Sequence, residues 1–131
     1  MEISDVNERP LVLVAEDDDS NFRLIDAIIG KKCEIKWAKT GQAMVDLFHA
    51  NRDRTAAMLM DIKMPVMTGL EATAQIRKED KTTPIIVQTA YAFNTDRESA
   101  MTAGATEVLV KPITLGTLRT CINRYLPDVK W

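Results

Sequence analysis

The chain has 131 residues, of which 46% are hydrophobic and 27% charged, and this composition is typical of one globular domain. Its 17 Lys and Arg residues against 19 Asp and Glu give a net charge of −2, which argues against a nucleic-acid-binding surface. No apolar run approaches the roughly 20 residues of a membrane-spanning helix, so no membrane contact is expected. The acidic, polar N-terminus lacks a signal-peptide pattern, and Cys33 and Cys121 lack metal-ligand spacing, which together favour the reducing cytoplasm.

Residues 1–10 are polar and predict a lead-in or linker, whereas residues 11–131 predict the folded domain. The first predicted strand, LVLVA at 11–15, is apolar throughout, as in a strand buried on both faces of a sheet. The alternating segment CEIKWA at 33–38 predicts a second strand at the sheet edge. Between them lies a predicted helix with four apolar residues on one face: Phe22, Ile25, Ile28 and Ile29.

Thr40 is the predicted N-cap of the second helix. The apolar side chains expected to face inward from this helix are Met44, Leu47 and Phe48. The third strand, AAMLM at 56–60, stops at Asp61. A loop with Pro and Gly follows over residues 62–69, and then a helix that ends near Asp80.

The fourth predicted strand is IIVQ at 85–88, and a short helix follows over residues 95–103. Gly104 suits the left-handed C-terminal cap of that helix. The fifth strand is EVLV at 107–110, and the last helix begins at Thr114. The apolar residues of this last helix are Leu115, Leu118, Ile122 and Leu126.

Strands that alternate with helices predict an α/β protein with a parallel sheet covered on both faces. Right-handed crossovers make this a doubly wound fold, in which ligands bind beyond the carboxyl ends of the strands. The polar residues at these ends are Glu16, Asp17, Asp61, Thr89 and Lys111. Each alone could be a cap or a surface residue, but their convergence on one rim by chance is a much weaker explanation.

The chemistry of this set predicts phosphoryl transfer. Three neighbouring carboxylates repel each other unless a cation is present, and Mg²⁺ binds a few carboxylates together with water and phosphate oxygens. A carboxylate such as Asp61 can act as a nucleophile towards phosphorus. The Lys111 ammonium and the Thr89 hydroxyl would then bind the phosphoryl oxygens, because this reaction depends mainly on positioning and charge neutralisation.

The acidic run over residues 16–19 leaves an ambiguity. Glu16 and Asp17 directly follow the first strand, so they are the preferred metal ligands. The residues that follow are rival N-caps of the next helix: Asp18, Asp19, Ser20 and Asn21.

The motifs EDD, MDIKMPVMTG, QTAYA and KPI together resemble the receiver domain of two-component response regulators, over residues 11–126. These motif sequences are especially similar to those of receiver domains in hybrid sensor histidine kinases. This resemblance implies a flavodoxin-like fold with strand order 2-1-3-4-5. It also implies a signalling domain with weak autophosphorylation and autodephosphorylation, whose Asp61 takes phosphate from a histidine kinase or histidine phosphotransfer domain.

The resemblance further implies the roles of individual residues. Asp17, Asp61 and the carbonyl of Lys63 would ligate Mg²⁺, and Glu16 would act through water. The phosphoryl group would contact three residues: Thr89, the Ala90 backbone N–H and Lys111. Lys63 and Tyr91 would modulate the acyl-phosphate lifetime, and the bond between Lys111 and Pro112 would be cis.

Two residues depart from the family pattern. Glu16 replaces the commoner Asp, and Val108 occupies a position where many receivers have Tyr or Phe that turns inward on phosphorylation. The usual route from Thr89 to an output surface is therefore in question. A weak homodimer is a further interaction that the family allows, and the chain is either a standalone receiver or part of a hybrid kinase.

Two other functions fit the sequence less well than a receiver domain does. An aspartyl-phosphate phosphatase of the haloacid dehalogenase type needs a general acid two residues after its nucleophile, where this chain has Lys63. A binding module is the other alternative. The intact Asp61, Thr89 and Lys111 disfavour a degenerate receiver, and the lack of a Ser/Thr/Gly-rich phosphate loop after the first strand disfavours a flavin binder.

Overall fold

The computed structural model describes residues 9–90 and 94–131 of the chain. The described strands are β1 (Leu11–Ala15), β2 (Glu34–Ala38), β3 (Thr55–Asp61), β4 (Ile85–Thr89) and β5 (Glu107–Val110). The described helices are α1 (Asp19–Ile29), α2 (Gly41–Ala50), α3 (Gly69–Arg77), α4 (Asn94–Ala103) and α5 (Leu115–Tyr125). All pairings in this sheet are parallel and the order is β2-β1-β3-β4-β5, which confirms the predicted doubly wound fold and the edge position of β2.

The sheet separates two hydrophobic clusters, because successive side chains of a strand point to opposite faces. The cluster under α1 and α5 includes Val12, Val14, Ile25, Ile29, Leu118 and Ile122. The cluster under α2, α3 and α4 includes Leu11, Leu13, Met44, Phe48, Ile76 and Ala100. Strand β1 is buried along its whole length, so its continuous apolar run matches its central position.

Side-chain caps fix where the helices start. The Asp18 carboxylate accepts hydrogen bonds from the backbone N–H groups of Ser20 and Asn21, which makes Asp18 the N-cap of α1. Thr40 caps α2 as predicted, and Thr114, which was predicted as the start of the last helix, is the N-cap of α5. Each of these caps follows the end of the preceding strand by only a few residues.

Several details differ from the sequence predictions. Leu115 is 52% exposed, although its spacing placed it with the apolar residues of the last helix. Phe22 is half-buried because it stacks on Trp37 rather than entering the core. Helix α3 ends at Arg77, earlier than expected, and in the turn that follows the Asp80 carboxylate accepts the backbone N–H groups of Thr82 and Thr83.

The prediction for Gly104 is confirmed. It has a φ of 111°, in the left-handed region that favours glycine.

The strand register brings the carboxyl ends together. Ala15 pairs with Met60, so the residues that follow them, Glu16 and Asp61, lie side by side. Thr89 pairs with Val110 at the end of β5, directly before Lys111. None of the helices in the described residues is long and apolar enough to cross a membrane.

Candidate functional site

Asp61 is the last residue of β3 and is only 5% exposed. Helix α3 begins directly beside it, where Gly69 donates its backbone N–H to the Ile62 carbonyl at 2.9 Å. A Cβ at position 69 would lie 1.9 Å from the Asp61 carbonyl oxygen. Gly69 is therefore the residue that lets α3 pack this closely against the backbone of Asp61.

Three carboxylates converge here. Glu16, Asp17 and Asp61 each offer an oxygen, and these oxygens all lie within 4.8 Å of one another. Glu16 is fully buried, whereas Asp17 is exposed. Burial and the neighbouring Asp61 carboxylate raise the pKa of Glu16 to about 7, although Lys111 acts in the opposite direction.

Lys111 is the cation of this cluster. Its Nζ lies 3.2 Å from Asp61 Oδ1 and 3.6 Å from Glu16 Oε1. The peptide bond between Lys111 and Pro112 is cis, as the resemblance implied. One ammonium therefore faces two buried carboxylates, which leaves an excess of negative charge at the rim.

The cluster has the donor chemistry that suits Mg²⁺. Among the described residues, Glu16 Oε1 is buried without a hydrogen-bond partner. Lys111 Nζ, at 3.6 Å, is too far to donate a hydrogen bond to this oxygen, so a metal ion or a water would stabilise it further. The carboxylates of Glu16, Asp17 and Asp61 are hard oxygen ligands, and the exposure of Asp17 leaves the cluster accessible to a hydrated ion.

Thr89 ends β4 and is 3% exposed. Its hydroxyl donates to Asp96 Oδ2 in the first turn of α4, at 2.9 Å. Ala90 follows it at the surface. The predicted role of Tyr91 lies outside the described residues.

The loop from Ile62 to Thr68 joins Asp61 to α3. The Ile62 N–H donates to the Gln88 carbonyl at 3.1 Å, so the loop starts firmly attached to β4. Lys63 is exposed on it. Val66 has a φ of 69° and is 92% exposed, which is a strained conformation for a β-branched residue.

The single histidine, the two cysteines and Val108 have ordinary environments. His49 is exposed and its Nε2 lies 2.8 Å from Glu79. Cys33 and Cys121 are free and buried, and burial raises the pKa of each thiol to about 11. Val108 is buried on β5, opposite Val87.

Two contacts at the rim were missed from the sequence. Asp96 bonds the Thr89 hydroxyl, and the Trp37 indole N–H donates to the Glu16 carbonyl at 2.7 Å. The sequence pattern places Trp37 only within the predicted edge strand at 33–38. Nothing in the sequence pattern links either residue to the rim, because both contacts depend on how a helix start or an edge strand approaches it.

The chain is similar to known signalling proteins over most of its length. Residues 12–123 match the family model of the response regulator receiver domain. Hybrid signal transduction histidine kinase I of Dictyostelium discoideum is 38% identical over 120 residues, which cover 86% of this chain. The chain spans only 7% of the length of that kinase.

Two solved structures share the fold. The receiver domain of the sensor histidine kinase PA1611 from Pseudomonas aeruginosa PAO1, with a magnesium ion coordinated in its active site cleft, has a TM-score of 0.80 and 31% identity, over 91% of this chain and 98% of that chain. The receiver domain of Ssk1 from Saccharomyces cerevisiae, crystallised with the phosphotransfer protein Ypd1, also has a TM-score of 0.80, with 28% identity over 89% of this chain and 88% of that chain. This chain belongs to the response regulator receiver domain family of two-component signal transduction.

Proposed function

We propose that Asp61 is the phosphoacceptor of this receiver domain. The observation that carries the proposal is the position of its carboxylate at the end of β3, 3.2 Å from Lys111 Nζ and within the three-carboxylate cluster. An Asp61 oxygen would form a bond to phosphorus while the bond between phosphorus and the histidine nitrogen of the donor breaks. The imidazole would leave with the electron pair of that bond and take up a proton from solvent.

Asp17, Asp61 and the backbone carbonyl of Lys63 would hold Mg²⁺, with Glu16 acting through water. Mg²⁺ would neutralise the phosphoryl oxygens and the carboxylates that otherwise repel them. The exposed side of the cluster at Asp17 and the unsatisfied Glu16 Oε1 support this arrangement. The magnesium ion in the receiver domain of PA1611 is consistent with it.

Lys111, Thr89 and the Ala90 N–H would contact the phosphoryl oxygens. Lys111 is already within ion-pair distance of Asp61, so its charge needs little movement to reach the phosphoryl group. The Thr89 hydroxyl would have to exchange its bond to Asp96 for one to phosphate. Lys63 would influence the lifetime of the acyl phosphate through its place beside Asp61.

The phosphodonor would be a phosphohistidine of a histidine kinase or a phosphotransfer domain. The complex of Ypd1 with the Ssk1 receiver shows such pairing for a related domain. The domain would occupy residues 11–131, after a linker over 1–10, and would act in the cytoplasm, where two buried free thiols stay reduced. Its catalysis would be limited to weak autophosphorylation and autodephosphorylation, and a weak homodimer stays a prediction.

Acetyl phosphate with Mg²⁺ tests this function directly. Intact-protein mass spectrometry should show one phosphoryl adduct, absent in Asp61→Asn and absent when EDTA removes the metal. Asp128→Asn, which alters an exposed acid in the C-terminal segment, should keep the adduct. An adduct that survives Asp61→Asn would exclude Asp61 as the acceptor.

A further inference from the structure

Trp37 lies on the edge strand β2, yet it contacts the residue that begins the acidic run. Its indole N–H donates to the Glu16 carbonyl at 2.7 Å. The Glu16 N–H donates to the Ala38 carbonyl at 2.9 Å, one residue further along β2. Both backbone polar groups of Glu16 are therefore held by the same edge strand.

The Trp37 ring is itself fixed from the side of α1. It stacks on Phe22 with ring centroids 3.9 Å apart and an interplanar angle of 2°. Lys39 Nζ lies 4.7 Å from the Trp37 ring centroid and 3.0 Å from Asp19 Oδ1. The indole N–H thus points at Glu16 from a ring that is packed between the first turn of α1 and a lysine, which limits its rotation.

Fixing the Glu16 carbonyl has consequences for two carboxylates. A peptide unit is planar, so the direction of this carbonyl also sets where the Asp17 backbone begins. The Glu16 side chain folds over the same segment, since its Oε2 accepts the Asp18 N–H at 3.2 Å while Oε1 lies 3.6 Å from Lys111 Nζ. A rotation of the Glu16 peptide unit would move both acids relative to Asp61.

We propose that Trp37 is a positioning residue of the metal site, which orients Glu16 and Asp17 for Mg²⁺ through the hydrogen bond to the Glu16 carbonyl. Groups that orient metal ligands without touching the metal commonly change affinity by about 10- to 100-fold when they are removed. The inference concerns Mg²⁺ binding, and it rests on the proposed function only in using the same carboxylates.

The N–H group and the ring can be separated by mutation. Trp37→Phe keeps an aromatic ring against Phe22 but removes the donor, whereas Phe22→Leu removes the stack and keeps the donor. Calorimetric titration with Mg²⁺ should give a dissociation constant about tenfold higher for Trp37→Phe than for wild type. Phe22→Leu should change this constant by much less, although circular dichroism should show thermal destabilisation of both variants.

Equal Mg²⁺ affinity in Trp37→Phe and wild type would overturn the proposal. An equal loss of affinity in both variants would also overturn it, because packing alone would then explain the effect.

A spectroscopic measurement needs no change at Trp37. The chain has two tryptophans, so Trp131→Phe leaves Trp37 as the sole tryptophan, and excitation at its long-wavelength edge avoids the two tyrosines. Its fluorescence should change along a Mg²⁺ titration with the same midpoint as the calorimetry. Emission that stays constant while Mg²⁺ binds would contradict the inference. If acetyl phosphate gives no adduct on Asp61 while Trp37→Phe still weakens Mg²⁺ binding, the proposed function fails and this inference stands.

Discussion

The two halves of the rim differ in how far they are prepared for a phosphoryl group. The metal half comprises Glu16, Asp17, Asp61 and Lys111. Here Lys111 Nζ already lies within ion-pair distance of Glu16 and Asp61, and the three carboxylates offer oxygens within 4.8 Å of one another. In the hydroxyl half, which comprises Thr89 and Asp96, the hydroxyl proton is donated towards α4. The Lys111 ammonium is therefore already in place for a phosphoryl group, whereas the contact from Thr89 requires the exchange of a hydrogen bond.

This difference has a physical origin. Carboxylates at the ends of adjacent strands would repel each other without a cation, so the metal half needs Lys111 even before Mg²⁺ binds. A hydroxyl is neutral and can bond to whichever acceptor is nearest. The Asp96 carboxylate is such an acceptor and would compete with the phosphoryl oxygens for the same proton.

Among the variants that test the difference between the two halves, Lys111→Ala should have the largest effect, on the rate of phosphorylation of Asp61. Loss of a group that stabilises developing charge commonly lowers rates by about 100-fold or more, and we expect this for adduct formation with acetyl phosphate. Mg²⁺ should bind more tightly to the variant, because Lys111 and the metal neutralise the same carboxylates. Initial rates by mass spectrometry and Mg²⁺ calorimetry measure the two effects.

Lys81→Ala, which removes an exposed lysine that bonds the Arg77 carbonyl, serves as the control and should match wild type. Weaker Mg²⁺ binding in Lys111→Ala would contradict the view that the ammonium and the metal compete.

A smaller effect is expected from Asp96→Ala, which probes the hydroxyl half. A hydrogen bond contributes about 1 kcal/mol net, which corresponds to roughly fivefold in an equilibrium. Removing the competing acceptor should therefore raise the steady-state level of phosphorylated Asp61 by roughly fivefold, as read by mass spectrometry at limiting acetyl phosphate.

The matched control is Glu98→Ala, which removes the same charge from an exposed position of α4. If both variants raise phosphorylation equally, the net charge of α4 matters and the bond to Thr89 does not.

The smallest effect is expected at Val66, beside the metal half. Its left-handed conformation costs about 1–2 kcal/mol for a residue with a Cβ, and Asn tolerates this conformation better. Val66→Asn should raise the thermal midpoint by about 3–6 °C in circular dichroism, without changing Mg²⁺ affinity.

Met101→Asn changes another exposed apolar residue, in regular helix, and should not stabilise the protein. A lower midpoint for Val66→Asn would show that the loop conformation carries no strain.

Much of the molecule follows from the sequence. The fold was predictable because the fully apolar β1 and the apolar spacing of the helices leave few arrangements, and the positions after the strands follow from parallel pairing. The roles of the four consecutive acids over residues 16–19 were only partly predictable. Asp18 proved to be the N-cap of α1, but its capping depends on backbone angles that composition does not show.

The remaining features depend on side-chain approach across elements. The helical periodicity predicted that Leu115 belongs to the apolar face of the last helix, but its side chain is about half exposed at the start of α5. The bonds made by Trp37 and Asp96 join residues from different elements, and each needs a specific rotamer and a specific helix start. The pattern of apolar residues in the sequence predicts neither of these two hydrogen bonds.

The valine at position 108 affects how the hydroxyl half would respond to phosphorylation. A buried aromatic ring that had to change position would add packing energy to the difference between resting and signalling states, whereas a valine offers little. The bond from Thr89 to Asp96 would contribute about 1 kcal/mol to that difference. When the difference between two states is small, both are populated, so phosphorylation of such a domain would act as a graded shift in population.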